Sequence, residues 1–313
     1  MGSSQQLGQG VARPRLTMHD VHLAIKLRCV VGVAEAVSRD VSLDVNQLLF
    51  GASALSLSLY YDCREAFQLL IDRHVTTSPV DLNQLSSDAH KRREPALVTA
   101  VRLDNHVAVC RLLDVGADLD VVDSFGHTAL WTAARDRRFS IAVTLLCRGA
   151  TVRPSSRAAS LPVMAASRPT SRRTDVTQLL LLAGADDVND DAVSLLARLL
   201  APGRRHVVRL LLAACHVTVT SRVTSRDEDV DSLLREYVSR PASLQANCRW
   251  TLRRVVTGAL QGRRFLPALS RLPLPRQLRD YVALMDVVPE LTETSSVDSS
   301  VDWTDVIERL MTS

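Results

Sequence analysis

Residues 123–151 read DSFGHTALWTAARDRRFSIAVTLLCRGAT, and each part of that stretch has a mechanical reading. Gly126 permits a tight turn that a side chain would disfavour. Thr128 stands where its hydroxyl can cap a short helix. Leu130, Ala133 and Ala134 recur at helical spacing and are small enough to let that helix pack closely. Ile141, Leu145 and Leu146 form the inward stripe of a second helix, and Gly149 ends it in a left-handed conformation. Moving outward, Leu97, Ala100 and Gly116 each lie 33 residues before Leu130, Ala133 and Gly149, with Leu112 and Leu113 matching Leu145 and Leu146. Val163 lies 33 residues after Leu130, and Leu179, Leu180, Gly184 and Ala185 close the next unit. A fixed period of this length marks stacked helix pairs, each too small to bury its apolar face alone.

Weaker units flank these. His19–Asn46 and Ser53–Asn83 read as degenerate copies whose first helices are DVHLAI and SALSLSL. From Leu55 to Leu97 the spacing swells to 42, so an insertion is expected around 75–80 or 86–92. A second insertion, SRPTSRR, falls at 167–173, and Asp191–Val219 keeps only the double-helix pattern. The 33-residue period, the Thr-x-Leu start and the Leu-Leu-x-x-Gly-Ala end resemble the ankyrin repeat. The resemblance implies a concave face lined by turn residues and first-helix tips. It makes Ser124, Phe125, His127, Arg135 and Asp136 the candidate target-binding residues, since an exposed phenylalanine is costly without a use. For the charged run 135–138 a merely solvated tip is the alternative. Trp131 is expected to pack between neighbouring repeats rather than to be displayed.

A different pattern occupies 241–284. PASLQANCRWTLRRVV places Leu244, Cys248 and Leu252 at i, i+4 and i+8, one stripe of a helix that Ser243 can cap. Further on, LPLPRQLRDYVAL holds Leu272 and Leu274 extended before Pro273 and Pro275, and Pro275 suits the start of a new helix. Leu278, Tyr281 and Val282 would supply that helix's apolar face. So short a piece cannot bury every stripe by itself. The two signatures, in this order and at this separation, resemble the SOCS box. The resemblance implies that Ser243, Leu244, Cys248 and Leu252 bind elongin C, and that Leu272, Pro273, Leu274 and Pro275 select cullin 5. Asn247 departs from the apolar residue many members carry before the cysteine. An ordinary amphipathic helix packed on its own domain is the alternative for 244–256.

Composition narrows the class. The chain has 313 residues, 46% hydrophobic but only 4% aromatic, an aliphatic balance that suits helical repeats. Net charge is +4; Asp286–Ser313 carries seven acids against Arg309, net −6, which leaves +10 on the remainder. Nearly all of that charge is arginine, with Lys26 and Lys91 the two lysines. An arginine-rich nucleic-acid binder is therefore a competing reading. The arginines are scattered through all repeats with few aromatics for stacking, which argues against it. The six cysteines sit singly in apolar patterns, as small core residues of a reducing compartment do. The first fifteen residues lack the apolar run of a signal peptide, Gln6 breaks the myristoylation motif after Gly2, and no window is apolar enough to span a bilayer. None of the eight histidines has metal-ligand or catalytic spacing, so no cofactor, metal or catalytic residue is expected.

The fold expected is thus all-α: an ankyrin-repeat solenoid followed by a small three-helix SOCS box. Residues 1–16 are a disordered N-terminus, 17–219 about six repeats, 220–240 a linker, 241–285 the box, and 286–313 an acidic tail with a helical stripe at Trp303, Val306, Ile307, Leu310 and Met311. That stripe either docks on the chain's own surface or serves a partner. The pairing resembles the ankyrin repeat and SOCS box family. It implies a non-catalytic substrate receptor of a ubiquitin ligase with elongin B, elongin C, cullin 5 and a RING protein, cytoplasmic with the nucleus also open to it. A plain ankyrin scaffold without ligase partners is the alternative.

Overall fold

The computed structural model describes residues 17–39, 43–76, 79–87, 92–153, 161–167, 174–185, 192–217, 225–240, 242–260, 262–288 and 301–312. The expected disordered N-terminus, the insertion after Ser167, Lys91 and most of the acidic stretch lie outside these residues. Among the described residues there are seventeen helices and one two-stranded sheet.

Twelve of the helices form six consecutive pairs. They are α1 (Met18–Lys26) with α2 (Val30–Arg39), α3 (Ala54–Tyr60) with α4 (Arg64–Thr76), and α5 (Ala96–Arg102) with α6 (His106–Asp114). Then come α7 (Ala129–Asp136) with α8 (Phe139–Cys147), α9 (Pro162–Ala166) with α10 (Asp175–Leu182), and α11 (Ala192–Leu199) with α12 (Arg205–Ala214). First helices pack on first helices along the stack, α1 on α3, α3 on α5, α5 on α7 and α7 on α9. The result is an ankyrin-type solenoid. Its core is the aliphatic set the periodicity marks: Leu97, Ala100, Leu112, Leu130, Ala133, Leu145, Val163, Leu179 and Leu180 are all at most 2% exposed.

The local chemistry explains the repetition. The Thr128 hydroxyl accepts from the Trp131 amide at 3.2 Å and starts α7. Gly116, Gly149 and Gly184 end the second helices of three successive repeats with φ of 93°, 93° and 95°, a region that glycine enters without steric cost. Polar bonds then tie each repeat to the next at about the repeat spacing. Asn46 accepts from the Asp81 amide at 2.6 Å, Asn83 from the Asp118 amide at 3.0 Å, and Asp120 from the Thr151 hydroxyl at 2.6 Å. Arg138 reaches Asp104 and Arg148 reaches Asp114, both at 2.6 Å. In the weak first units, buried Arg73 does this work by donating to the carbonyls of Val37 and Leu43 at 2.8 and 2.9 Å. The swollen spacing before Leu97 contains an antiparallel pair, β1 (Ser86–Ser87) against β2 (Arg93–Glu94).

After the solenoid, α13 (Glu228–Ser239) occupies the segment read as a linker and packs on α12. Three helices follow: α14 (Leu244–Ala259), α15 (Phe265–Arg271) and α16 (Arg276–Val282). The last helix, α17 (Trp303–Thr312), lies against α8 and α15 with Trp303, Val306, Ile307 and Leu310 buried. Its apolar stripe therefore docks on the chain itself, bridging a repeat and the C-terminal helices. The Trp303 ring meets Phe139 edge-on at 5.8 Å.

Candidate functional site

Two surfaces carry the candidate residues. On the first, α14 is amphipathic the wrong way round. Ser243 caps it, accepting from the Ala246 amide at 3.1 Å, so Leu244 is the first helical residue. The face turned inward is polar: Arg249, Trp250, Arg253 and Thr257 are buried. Arg253, fully buried, donates to the carbonyl of Leu181 at 2.7 Å and of Val282 at 2.8 Å. Those carbonyls belong to the last turns of α10 and α16, where oxygens without a full intrahelical set of donors and the negative end of the helix dipole favour a cation. Its guanidinium also lies 4.6 Å from the Phe265 ring centroid. Arg249 stacks 3.4 Å over Tyr281 and reaches Asp286 at 2.6 Å, and the Trp250 indole donates to Ala213 at 3.2 Å.

Close backbone approach completes this junction. A Cβ on Gly184 would stand 3.0 Å from the Phe265 ring, so the glycine that ends α10 is also the seat for α15. Gly262 accepts from the Val152 amide at 3.1 Å, and Arg263 pairs with Asp120. The C-terminal helices are thereby clamped onto the later repeats through arginines. Among the side chains they leave outward, Leu244 is 80% exposed, Val255 is 58% exposed and Cys248 is exposed, beside the polar Gln245, Asn247, Thr251 and Arg254. Leu252 is half-buried against the core, so α14 packs on its own domain through its other face and part of this stripe.

Leu272 and Leu274 are half-buried and Pro273 and Pro275 exposed, in an extended stretch between α15 and α16. Pro275 takes the capping position with ψ of 145°, one residue before the helix, because its backbone is still extended. Of the expected apolar face of α16, Val282 is buried and Tyr281 half-buried, while Leu278 is 51% exposed. The exposed Leu278 adds to the outward apolar surface begun by the prolines.

The second surface is the row of turns and first helices. Asp123 organises the turn before α7, accepting from the amides of Phe125 and His127 at 2.8 Å each. Ser124 is exposed and Phe125 is 61% exposed. The His127 ring stacks on Trp131 at 3.4 Å, and Arg135 sits 5.2 Å over the same indole. Asp136 binds Arg135 through two bonds of 2.7 Å, and this charge-assisted pair raises the arginine pKa above its ordinary value. Phe125, His127, Trp131 and Arg135 thus form one stack. Trp131 is half-buried and belongs to this stack, a place the expectation of inter-repeat packing missed. An aromatic three positions from a cap and four from an arginine was the available signal. Among the described residues no group of three His, Cys, Asp or Glu could hold a metal, and no helix is long and apolar enough to cross a membrane.

Comparison with known proteins gives two findings. Residues 240–283 match the family described as SOCS box. Among solved structures, the ankyrin repeat domain of Bcl-3, described as a unique member of the IkappaB protein family, is similar at 23% identity with a TM-score of 0.43. That match covers 51% of this chain and spans 66% of that chain, just under two thirds of its length. A search of curated proteins finds no match.

Proposed function

We propose that this chain is the substrate receptor of a ubiquitin ligase built on elongin B, elongin C, cullin 5 and a RING protein. The observation that carries the reading is the inverted helix α14, whose polar face is consumed by the solenoid while Leu244, Cys248 and Val255 remain outward. A SOCS box of this geometry offers elongin C the exposed Leu244 and Cys248, while Leu252 of the same stripe is half-buried against the chain's own core. Each side chain so buried would contribute up to about 1.5–3 kcal/mol. The LPLP stretch, beside α16, is the cullin 5 contact on this reading. The concave surface with Phe125, His127, Trp131 and Arg135 takes the target. The chain performs no bond chemistry. It raises the effective concentration of target near the charged ubiquitin-conjugating enzyme, replacing a bimolecular encounter with a tethered one.

The test uses substitutions on the outward stripe. Leu244 is the first residue of its helix, where proline is tolerated, so charge is the informative change. In the chain carrying Leu244→Asp with Cys248→Arg, copurification of elongins B and C should be lost. The melting temperature should stay within a degree or two, because neither side chain packs internally. Retention of both elongins at wild-type stoichiometry would leave the plain scaffold reading standing instead.

A further inference from the structure

One cavity outside the residues discussed so far has unpaired buried polar atoms in its lining residues. It lies on the first three repeats, where the first helices α1, α3 and α5 meet the turn 49–52 and strand β1, and it measures about 220 Å³. That is smaller than the cavities that accept drug-sized ligands, and it suits one or two side chains. Its lining includes His22, Lys26, Phe50, Ser56, Tyr60 and Arg102. His22 is 2% exposed and Ser56 is 8% exposed, yet His22 Nε2 and Ser56 Oγ find no hydrogen-bond partner. A buried polar atom left unpaired costs about 1–3 kcal/mol, so two of them beside one cavity ask for a ligand that pairs both.

The charge around these atoms selects the ligand. Among the described lining residues there is no carboxylate, whereas Lys26 and Arg102 stand at the rim. The nearest buried acid, Glu94, is already engaged by Arg102 at 2.6 Å and by the Thr99 hydroxyl at 2.9 Å. Burial and the nearby Lys26 push the His22 pKa down to about 4, so the imidazole is neutral and its Nε2–H tautomer offers a donor. Ser56 offers a second donor and Lys26 a counter-charge. Phe50, 89% exposed at a left-handed turn position with φ of 54°, forms an apolar wall with Tyr60.

We propose that this cavity receives the carboxylate of a Glu or Asp side chain, adjoining an apolar residue, from an extended segment of the target. His22, Ser56 and Lys26 bind the acid, and Phe50 and Tyr60 hold the neighbour. This rests on the receptor reading above and names the class of segment it selects.

The test immobilises the full chain and exposes it to a positional library of acetylated, C-amidated octapeptides. The expected result is enrichment of Glu or Asp at one position, next to an apolar residue. The best peptide is then compared with its Gln counterpart, on wild type and on Lys26→Gln with Ser56→Ala. The acidic peptide should bind the variant at least about tenfold more weakly, and the Gln peptide should bind both proteins alike. Lys26→Gln alone, a surface change, should weaken the acidic peptide several-fold and guards against misfolding of the double variant. Absence of acidic enrichment, or unchanged selection by the variants, overturns the proposal. So does tighter binding of a shortened peptide that offers only a C-terminal carboxylate. Elongin capture is measured on the same preparations. Its loss with acidic selection intact counts against the ligase reading alone, and the converse counts against the cavity alone.

Discussion

Arg253 is the residue on which the junction between the repeats and the box turns. It satisfies one carbonyl at the end of α10 and one at the end of α16, and it does so with no exposure to water. Removing it takes that donor from the Val282 carbonyl, while the Leu181 carbonyl keeps the Gly184 amide at 3.3 Å. Arg253→Met, which keeps the stem, should therefore lower stability by about 1–3 kcal/mol, the cost of one buried acceptor left unpaired. Chemical denaturation checks this, with amide exchange in α14–α16 rising before that in α5–α8. Lysine would not restore the junction, since an ammonium cannot reach two carbonyls set at the fork of a guanidinium. Nothing in the local sequence distinguishes Arg253 from its neighbour Arg254, which is exposed. One faces the solenoid and the other faces water only because α14 is rotated to bring Trp250 and Thr257 inward.

At the scale of elements, the stretch between α15 and α16 separates the roles assigned to the box. Leu272, Pro273, Leu274 and Pro275 lie outside α14, in the stretch between α15 and α16, and two of the four are exposed. Changing all four to alanine should leave elongin B and C copurification largely intact while cullin 5 capture falls at least about tenfold, the equivalent of 1.4 kcal/mol or more. Equal loss of both partners would mean that the stretch is structural. Helix α14 shows why an amphipathic pattern alone does not say which face is inside. Its stripe of Leu244, Cys248 and Leu252 is compatible with either an elongin contact or internal packing, and the inward site offers carbonyl oxygens and an aromatic ring, which arginine fits better than leucine does.

For the whole molecule, α17 is the strap. It returns from the acidic stretch to lie across α8 of the fourth repeat and α15 of the box, joining parts far apart in sequence. The apolar residues Trp303, Val306, Ile307 and Leu310 bury themselves there, and the Cys147 thiol donates to the Arg309 carbonyl at 3.8 Å. Trp303→Ala should cost about 3–5 kcal/mol if the helix stays docked, and less if it undocks instead. Either way the expected sign is a lower melting temperature and faster amide exchange in α8 and α15, with elongin capture retained. An unchanged melting temperature and unchanged exchange would show that α17 does not hold these parts together. The strap, the buried Arg253 and the Gly184–Phe265 contact all act on one joint. The angle between the row of turns and first helices and the C-terminal helices is therefore set by the chain itself.

By itself the sequence determined the repeat. A 33-residue spacing of Leu, Ala and Gly can be satisfied only by stacking, because each helix pair leaves an apolar face that its neighbour must cover. The Ser243 cap, the stripe carrying Leu244 and Cys248, and the extended LPLP stretch were legible as geometry, since that geometry is local. Capping, proline geometry and a one-sided stripe need no distant partner to be recognised. The tertiary structure alone decided which face of α14 is inward, that Trp131 joins His127 and Arg135 in a stack, and that α17 covers a repeat rather than standing free. It also decided that His22 and Ser56 meet at one cavity although 34 positions separate them. The physical reason is that burial and pairing are properties of the assembled surface. A residue's pattern gives the direction it points along its own helix, and only the neighbouring repeats determine whether water, a carbonyl or an empty cavity lies there.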